Sequence, residues 1–95
     1  MVAWERVTRR DLLRALRDYD RLGPEQFFSE HGFAPTTTYE LVWDRRRYPP
    51  KAVLGAAYEF ATGQQLESGY FGGGKTGAVR VLGKLGFSIE KKLKK

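Results

Sequence analysis

The spacing of apolar residues predicts a helix near the start of the chain. Leu12 and Leu16 lie four residues apart among charged neighbours, as on the buried face of an amphipathic helix. Thr8 suits the position that caps a helix N-terminus, and Gly23 suits the position just after a helix C-terminus. The pattern therefore predicts a first helix from Arg9 to Leu22.

Three more segments combine helical spacing with end signals. Pro24–His31 begins with proline, which the first turn of a helix accepts well, and is followed by Gly32. Pro50–Thr62 repeats this arrangement, with proline at its start and a glycine after its end. Residues 76–85 have apolar side chains at helical spacing and precede Gly86. The chain is therefore predicted to contain four short helices.

The apolar period changes to two where Tyr39, Leu41 and Trp43 alternate with other residues. This alternation predicts a half-buried strand with the three named side chains facing the core. The polar segment DRRR is predicted to interrupt it, RYPP is a candidate second short strand, and FSIEK is predicted to close the sheet. We expect an α+β fold with about four short helices and a small antiparallel sheet, in a single domain over residues 1–95 whose basic tail, 91–95, is disordered.

The chain is basic, since 17 Lys and Arg oppose 11 Asp and Glu, for a formal net charge of +6. A small domain with this balance attracts polyanions, and nucleic acid is the expected partner; the alternative is a solvated basic surface without a partner. There is no cysteine, which excludes disulfides and thiolate metal sites. No apolar run resembles a signal peptide or a membrane span, so we expect a cytoplasmic protein without a membrane partner.

The segment GYFGGGKT, residues 69–76, has the spacing of a phosphate-binding P-loop. A P-loop needs a buried strand before it and further parallel strands after it, and neither fits this chain, so nucleotide hydrolysis is not expected. Glycines before a helix can nevertheless present N–H groups to an anion. Gly73, Gly74 and Lys75 are therefore candidate ligands of a DNA phosphate, with an ordinary flexible turn as the alternative.

Catalytic and metal-binding patterns are lacking in the sequence. His31 is the single histidine, which excludes in practice a zinc site or an HNH-type nuclease. Glu90 begins an E-x-K fragment of a common nuclease core, but no upstream acidic partner on a strand accompanies it. We therefore expect no catalysis, no cofactor and no metal.

Three consecutive arginines, Arg45, Arg46 and Arg47, fall where a hairpin tip is predicted. Turns more often hold Gly, Asn or Asp, and neighbouring like charges repel one another. This placement predicts contacts to DNA phosphates or groove edges, together with Lys51 at the start of the third helix. A second set of arginines forms a stripe along the first helix: Arg10, Arg14, Arg17 and Arg21. It is interpreted as a solvated face that Asp18 and Asp20 partly neutralise.

Aromatic side chains lie near these charges. Tyr48 adjoins the arginine triplet, and Tyr70 and Phe71 lie in the glycine-rich loop. Most aromatic residues of a small domain belong to its core, which is the simpler interpretation. An exposed ring could instead stack on a base or enter a base step, so these three residues are candidate base contacts.

Several of these segments together resemble the N-terminal head domain of ScoMcrA-like modification-dependent restriction endonucleases. The most specific is Y-P-P-K-A at residues 48–52, followed by F-x-G-G with Phe71, Gly73 and Gly74, by G-A at 77–78, and by L-G-F at 85–87. The resemblance implies a DNA-associated module of bacterial defence that accompanies modified-base readers and an HNH nuclease. The arginine triplet is not part of the motif, so its predicted role rests on the turn argument alone.

Two functions remain open. The first is a non-catalytic domain that binds double-stranded DNA, with or without a modification, and that targets or senses modified DNA for a nuclease domain or subunit. The alternative is a protein–protein assembly or dimerisation module of such an enzyme without its own DNA contact. An exposed apolar patch would favour the alternative.

Overall fold

The computed structural model describes residues 4–32, 39–66 and 77–91, which form helices and one three-stranded sheet. In chain order the elements are a 3-10 turn (Trp4–Arg6), α1 (Arg9–Leu22), α2 (Pro24–His31), β1 (Tyr39–Trp43), β2 (Arg46–Tyr48), α3 (Pro50–Thr62), α4 (Ala78–Lys84) and β3 (Ser88–Lys91). The predicted α+β class, with four short helices and a small antiparallel sheet, is confirmed. The tail at 92–95 lies outside the described residues.

Local end signals fix the first three helices. The Thr8 hydroxyl accepts a hydrogen bond from the Asp11 amide, and the Asp11 carboxylate accepts one from the Thr8 amide at 2.9 Å, which closes a capping box. Proline stands at the first position of α2 and α3. The predicted bounds of α1, α2 and α3 are confirmed. Helix α4 spans Ala78–Lys84 and is shorter than the predicted 76–85, because Gly77 before it has a φ of −113° and a ψ of −117°, which is not helical, and Leu85 caps its end.

The three strands are antiparallel and lie in the order β2-β1-β3. Central strand β1 pairs Leu41 with Tyr48 of β2 and with Ile89 of β3. Leu41 is fully buried, whereas Tyr39 and Trp43 at the strand ends are half-buried. The predicted inward face of this strand is therefore correct at its centre and partly open to solvent at its ends.

The hairpin between β1 and β2 is tighter than the predicted polar break. β2 already begins at Arg46, so the turn consists of Asp44 and Arg45 alone. Both turn residues have positive φ, 50° and 64°, as two-residue turns of type I′ require. Only one member of the arginine triplet therefore lies at the tip, and the other two extend along the edge strand.

Helix α3 forms the centre of the core. Its small residues, such as Ala52 and Ala56, are fully buried and allow α1 to pack closely against it. The largest fully buried side chains come from all parts of the described fold: Phe27, Leu12, Leu16, Leu41, Leu54, Leu82 and Val53. One continuous apolar cluster therefore joins the helices to the sheet.

Arg9 joins three parts of the fold. Its guanidinium lies 5.0 Å from the ring centre of Trp43 and 4.8 Å from that of Phe87, and it donates a hydrogen bond to the Leu85 carbonyl at 3.0 Å. Gly86 has a φ of +88°, and a Cβ at this position would lie 2.8 Å from Arg9 Nη1. The positive φ therefore favours glycine in the link between α4 and β3, and a side chain there would also displace the Arg9 guanidinium.

Two glycines at the end of α4 make a matched test of this link. We expect Gly86→Ala to lower the free energy of unfolding by about 1–2 kcal/mol, because of its positive φ and the displaced Arg9. Gly83→Ala meets nothing within 4 Å. It should raise stability by up to about 1 kcal/mol, since alanine favours helix. Urea unfolding measures both, and equal effects of the two substitutions would contradict the role of Gly86.

Candidate nucleic-acid interface

Arg45 stands at the tip of the hairpin in a conformation that favours glycine. Its φ of 64° lies in the left-handed region, which costs a residue with a side chain about 1–2 kcal/mol relative to glycine. The side chain is exposed, and it forms no ion pair within the described part of the chain. Within the described fold, Arg45 therefore contributes a backbone cost and no ion pair to stability.

Arg46 and Arg47 differ from Arg45 because carboxylates hold them. Arg46 Nη1 lies 3.1 Å from Asp20 Oδ1, and this hydrogen bond raises the pKa of the Arg46 guanidinium. Arg47 contacts Glu40 through Nη1 and Glu90 through Nη2, each at 3.2 Å. Their side chains remain 65% and 51% exposed, so both guanidiniums are still accessible to a ligand.

The double contact of Arg47 has a structural reason. Glu40 of β1 and Glu90 of β3 are directly paired across the sheet, where two like charges repel each other. Arg47 on the far edge strand bridges both carboxylates and removes this repulsion. Arg47 therefore stabilises the sheet in the free protein, and its predicted contact with DNA stays a prediction.

Tyr48 belongs to the core in the free protein. Its residue surface is 4% exposed, and its ring packs edge-on against Tyr19 at 5.4 Å between ring centres. The hydroxyl donates to Asp20 Oδ2 at 2.9 Å. Burial, followed by the hydrogen bond and charge of Asp20, raises the pKa of Tyr48 to about 12. The structure thus gives this candidate a structural role, and its predicted base contact stays a prediction.

The remaining predicted site residues fall into two groups. Lys51 is half-buried in the first turn of α3, close in sequence to the end of β2. The candidates of the glycine-rich loop lie outside the described residues: Tyr70, Phe71, Gly73, Gly74 and Lys75. Their predicted contacts with DNA stay predictions.

The arginine stripe on α1 divides into separate roles. Arg14 lies over the Phe60 ring at 4.2 Å, and Arg21 pairs with Asp18 at 3.0 Å. Arg10 and Arg17 are exposed and form no ion pair within the described residues. The interpretation as a solvated, partly neutralised face is thus correct for Arg21, while Arg17 lies beside the hairpin and adds a cation to the site.

Asp20 and Arg17 are site residues that sequence reasoning did not select. Asp20 was assigned to charge pairing along α1, but in the structure it binds Arg46 and Tyr48 of β2. The contacting residues Tyr48 and Asp20 are 28 positions apart in the chain, so no local spacing signals their meeting. A cleft of about 370 Å³ opens between α1 and the hairpin, and Arg17, Asp20 and Arg46 line it together with apolar side chains.

Within the described ranges, no three His, Asp or Glu side chains are arranged to hold a metal ion. None of the described helices combines the length and the apolar character needed to cross a bilayer. The described part of the site contains Lys51, arginines with the carboxylates that hold them, and aromatic and aliphatic side chains.

Residues 5–91 match the family described as "ScoMcrA-like, N-terminal head domain". The chain belongs to this family. The match extends from the 3-10 turn through β3, and it confirms the resemblance found in the sequence motifs. It places the domain among the N-terminal head domains of ScoMcrA-like proteins.

A solved structure agrees with this assignment. The chain is similar to part of the Type IV phosphorothioation-dependent restriction endonuclease ScoMcrA, with 30% sequence identity and a TM-score of 0.69. The similarity covers 94% of this chain and 14% of that enzyme. This domain therefore spans about one seventh of the length of its relative. No curated protein sequence matches the chain.

The contact between Tyr48 and Asp20 predicts a pH dependence of stability. The pKa of Tyr48 is higher in the folded protein than its ordinary value of 10.0, so the unfolded chain loses this proton first. The stabilisation is complete below pH 10 and should fall as the pH rises towards 12. We expect Tyr48→Phe to cost about 1 kcal/mol at pH 8, since one hydrogen bond is lost.

Urea unfolding of both proteins at several pH values measures this effect. The difference in stability between wild type and Tyr48→Phe should shrink between pH 10 and 12, because only the wild type has this group to titrate. All groups other than Tyr48 are common to both proteins, so their contributions cancel in the difference. A difference that stays constant with pH would contradict the proposed contact.

Proposed function

We propose that this head domain binds duplex DNA through the tip of the β1–β2 hairpin and the adjacent face of α1, and so targets a restriction enzyme to DNA. The observation that carries the proposal is Arg45, an exposed arginine held at positive φ at the tip of a turn, with no ion pair to any residue that the structure describes. Glycine would stabilise this turn better, so the presence of a cation there supports a contact with an anion.

The neighbouring charges support the same surface. Arg17 of α1 lies beside the hairpin without an ion pair in the described residues, and Arg46 lines the same cleft. The exposed ion pairs of Arg46 and Arg47 contribute little net stability, so a phosphate can replace or share their carboxylate partners. The ion pairs also hold these guanidiniums in place before DNA arrives, which reduces the entropy lost on binding. The net charge of +6 adds long-range attraction.

The glycine-rich loop is the second part of the proposed interface. Gly73, Gly74 and Lys75 supply backbone N–H groups and a charge for a phosphate, while Tyr70 and Phe71 supply rings for a base contact. This loop leads into α4 and carries the F-x-G-G motif of the family. Lys51 completes the set of candidate phosphate ligands.

The related enzyme indicates the system in which this binding would act. ScoMcrA is a phosphorothioation-dependent restriction endonuclease, and the present chain is similar to a small part of it. We infer that the DNA-cutting and modification-dependent steps involve a nuclease domain or subunit that works with this domain. The domain itself supplies DNA contacts and performs no catalysis.

One observation favours assembly as a second candidate function. A groove of about 510 Å³ lies between the 3-10 turn and α4, and its walls include Trp4, Val81 and Leu85. These side chains are half-buried, so the groove offers apolar surface to another protein segment. Concentration-dependent mass in light scattering, without DNA binding, would favour this candidate over the first.

The first test is fluorescence anisotropy of the protein with a labelled 20-base-pair duplex over a series of salt concentrations. With about five phosphate contacts, the logarithm of the affinity should fall against the logarithm of salt with a slope near −4.5. Matched duplexes with a phosphorothioate linkage, 5-methylcytosine or N6-methyladenine show whether the domain senses a modification. Binding that is absent, or independent of salt, would reject the proposal.

Arg45→Gly separates the function of the turn from its stability. We expect the substitution to raise the free energy of unfolding by about 1 kcal/mol, because glycine accepts positive φ. The same substitution should weaken duplex binding and reduce the magnitude of the salt slope by about 0.9, as for one lost phosphate contact. Arg80→Ala on α4 is the control, since it removes an equal charge from an exposed site outside the hairpin. Equal DNA affinities of the two variants would contradict the role of Arg45.

A further inference from the structure

The cleft between α1 and the hairpin has the composition of a binding site for one nucleotide. We propose that it accepts an unpaired nucleotide whose base carries an exocyclic amino group, with Asp20 as the acceptor of that group and Arg17 as the ligand of the phosphate. This inference rests on the proposed function, since it adds a subsite beside the turn that carries Arg45. The same contacts from Asp20 and Arg17 would also bind a free nucleotide.

The walls of the cleft suit a flat aromatic ligand. Leu13 and Leu16 of α1 and the half-buried Trp43 of β1 line it, which provides aliphatic and aromatic surface. Its volume of about 370 Å³ falls in the range of roughly 300–1,000 Å³ that is usual for small-molecule sites. Every nucleobase has an apolar face that gains free energy from such surface.

Asp20 is an oriented acceptor in the cleft. Its carboxylate is 36% exposed, and two donors fix its position, the Tyr48 hydroxyl at 2.9 Å and Arg46 Nη1 at 3.1 Å. A carboxylate has about four lone-pair sites, so these donors leave acceptor capacity for a ligand. A buried tyrosine and an arginine thus hold an exposed carboxylate at the side of an apolar cleft.

A carboxylate in this place discriminates between bases. Cytosine N4, adenine N6 and guanine N2 are exocyclic amino groups, and each can donate a hydrogen bond to a carboxylate. Thymine presents a single ring N–H between two carbonyl oxygens, so a carboxylate there meets repulsion together with its hydrogen bond. The cleft should therefore prefer cytosine and adenine to thymine.

The balance of charges at the cleft favours a nucleotide with a single phosphate. Arg17 and Arg46 line it together with Asp20 and Asp44, so its formal charge is balanced. A balanced site fits a polar base with one phosphate better than a polyanion such as a nucleoside triphosphate. Arg17 has no ion pair in the described chain, which leaves its guanidinium available for that phosphate.

The position of the cleft requires the nucleotide to be unpaired. A base inside a duplex shows only its groove edges, and enzymes that enclose a base first take it out of the stack. The cleft lies against the Asp44–Arg45 turn, so a nucleotide that leaves the helix at the proposed DNA contact would meet it. A bulged nucleotide provides this arrangement without the energetic cost of opening a base pair.

The test compares anisotropy-derived affinities for a fully paired duplex and for duplexes with a single bulged dC, dA or dT. The dC and dA bulges should bind about tenfold more tightly than the dT bulge, as expected from one additional charge-assisted hydrogen bond. Binding of free dCMP is measured by the fluorescence of Trp43 in a Trp4→Phe variant, in which Trp43 is the single tryptophan. This measurement tests whether the cleft binds a free nucleotide.

The outcomes separate this inference from the proposed function. Equal affinity for all four duplexes, without dCMP binding, overturns the nucleotide site and leaves duplex binding intact. Binding of dCMP without binding of any duplex supports the cleft and rejects the DNA-targeting function. Failure of all these ligands to bind rejects both.

Two variants test the assigned residues. Asp20→Asn should abolish the tenfold preference for dC over dT bulges, because the amide no longer offers a charged acceptor. Asp18→Asn is the matched control: it makes the same charge change two positions earlier on α1, outside the cleft, and should retain the preference. Leu13→Trp keeps all charges, fills the cleft and should also remove the preference. Retained discrimination in Asp20→Asn, with folding verified by circular dichroism, would overturn the inference.

Discussion

The carboxylate of Asp20 joins the first helix to the sheet, and the candidate interface is organised around this contact. It accepts a hydrogen bond from the buried hydroxyl of Tyr48 and pairs with the exposed guanidinium of Arg46. One side chain therefore satisfies a polar group of the core and positions a cation on the surface. The cleft beside the hairpin exists because the two elements are held together at this point while Leu13 and Trp43 remain only half-buried around it.

The three arginines of the triplet have different roles in the structure. Arg47 bridges two glutamates that face each other across the sheet, and Arg46 pairs with Asp20, so both are partly neutralised in the free protein. Of the three, Arg45 alone has no ion pair among the described residues, and its positive φ costs stability. Under the proposed function, such a surface would bind anions with moderate strength. Several weak contacts would then act together through a high effective concentration.

Local signals were sufficient for much of the fold. The bounds of α1 followed from Thr8 and Gly23, because capping bonds and a residue with positive φ act within a few positions of the chain. The central burial of Leu41 followed from alternation, since neighbouring strand residues face opposite sides. The sequence predicted the hairpin turn less accurately than these elements. A two-residue turn of Asp and Arg lacks the glycine that ordinarily marks it, so the sequence suggested a longer polar break.

The sequence by itself determined the fold class, the ends of α1, α2 and α3, the basic character and the family motifs, because each of these depends on neighbouring residues or on composition. Only the tertiary structure decided which arginines are paired, that Tyr48 lies in the core, and that Arg17 and Asp20 line one cleft. Arg47 meets Glu90 across 43 positions of the chain, and Tyr48 meets Asp20 across 28. Contacts at such separations depend on how helices and strands pack, and no spacing along the chain encodes them.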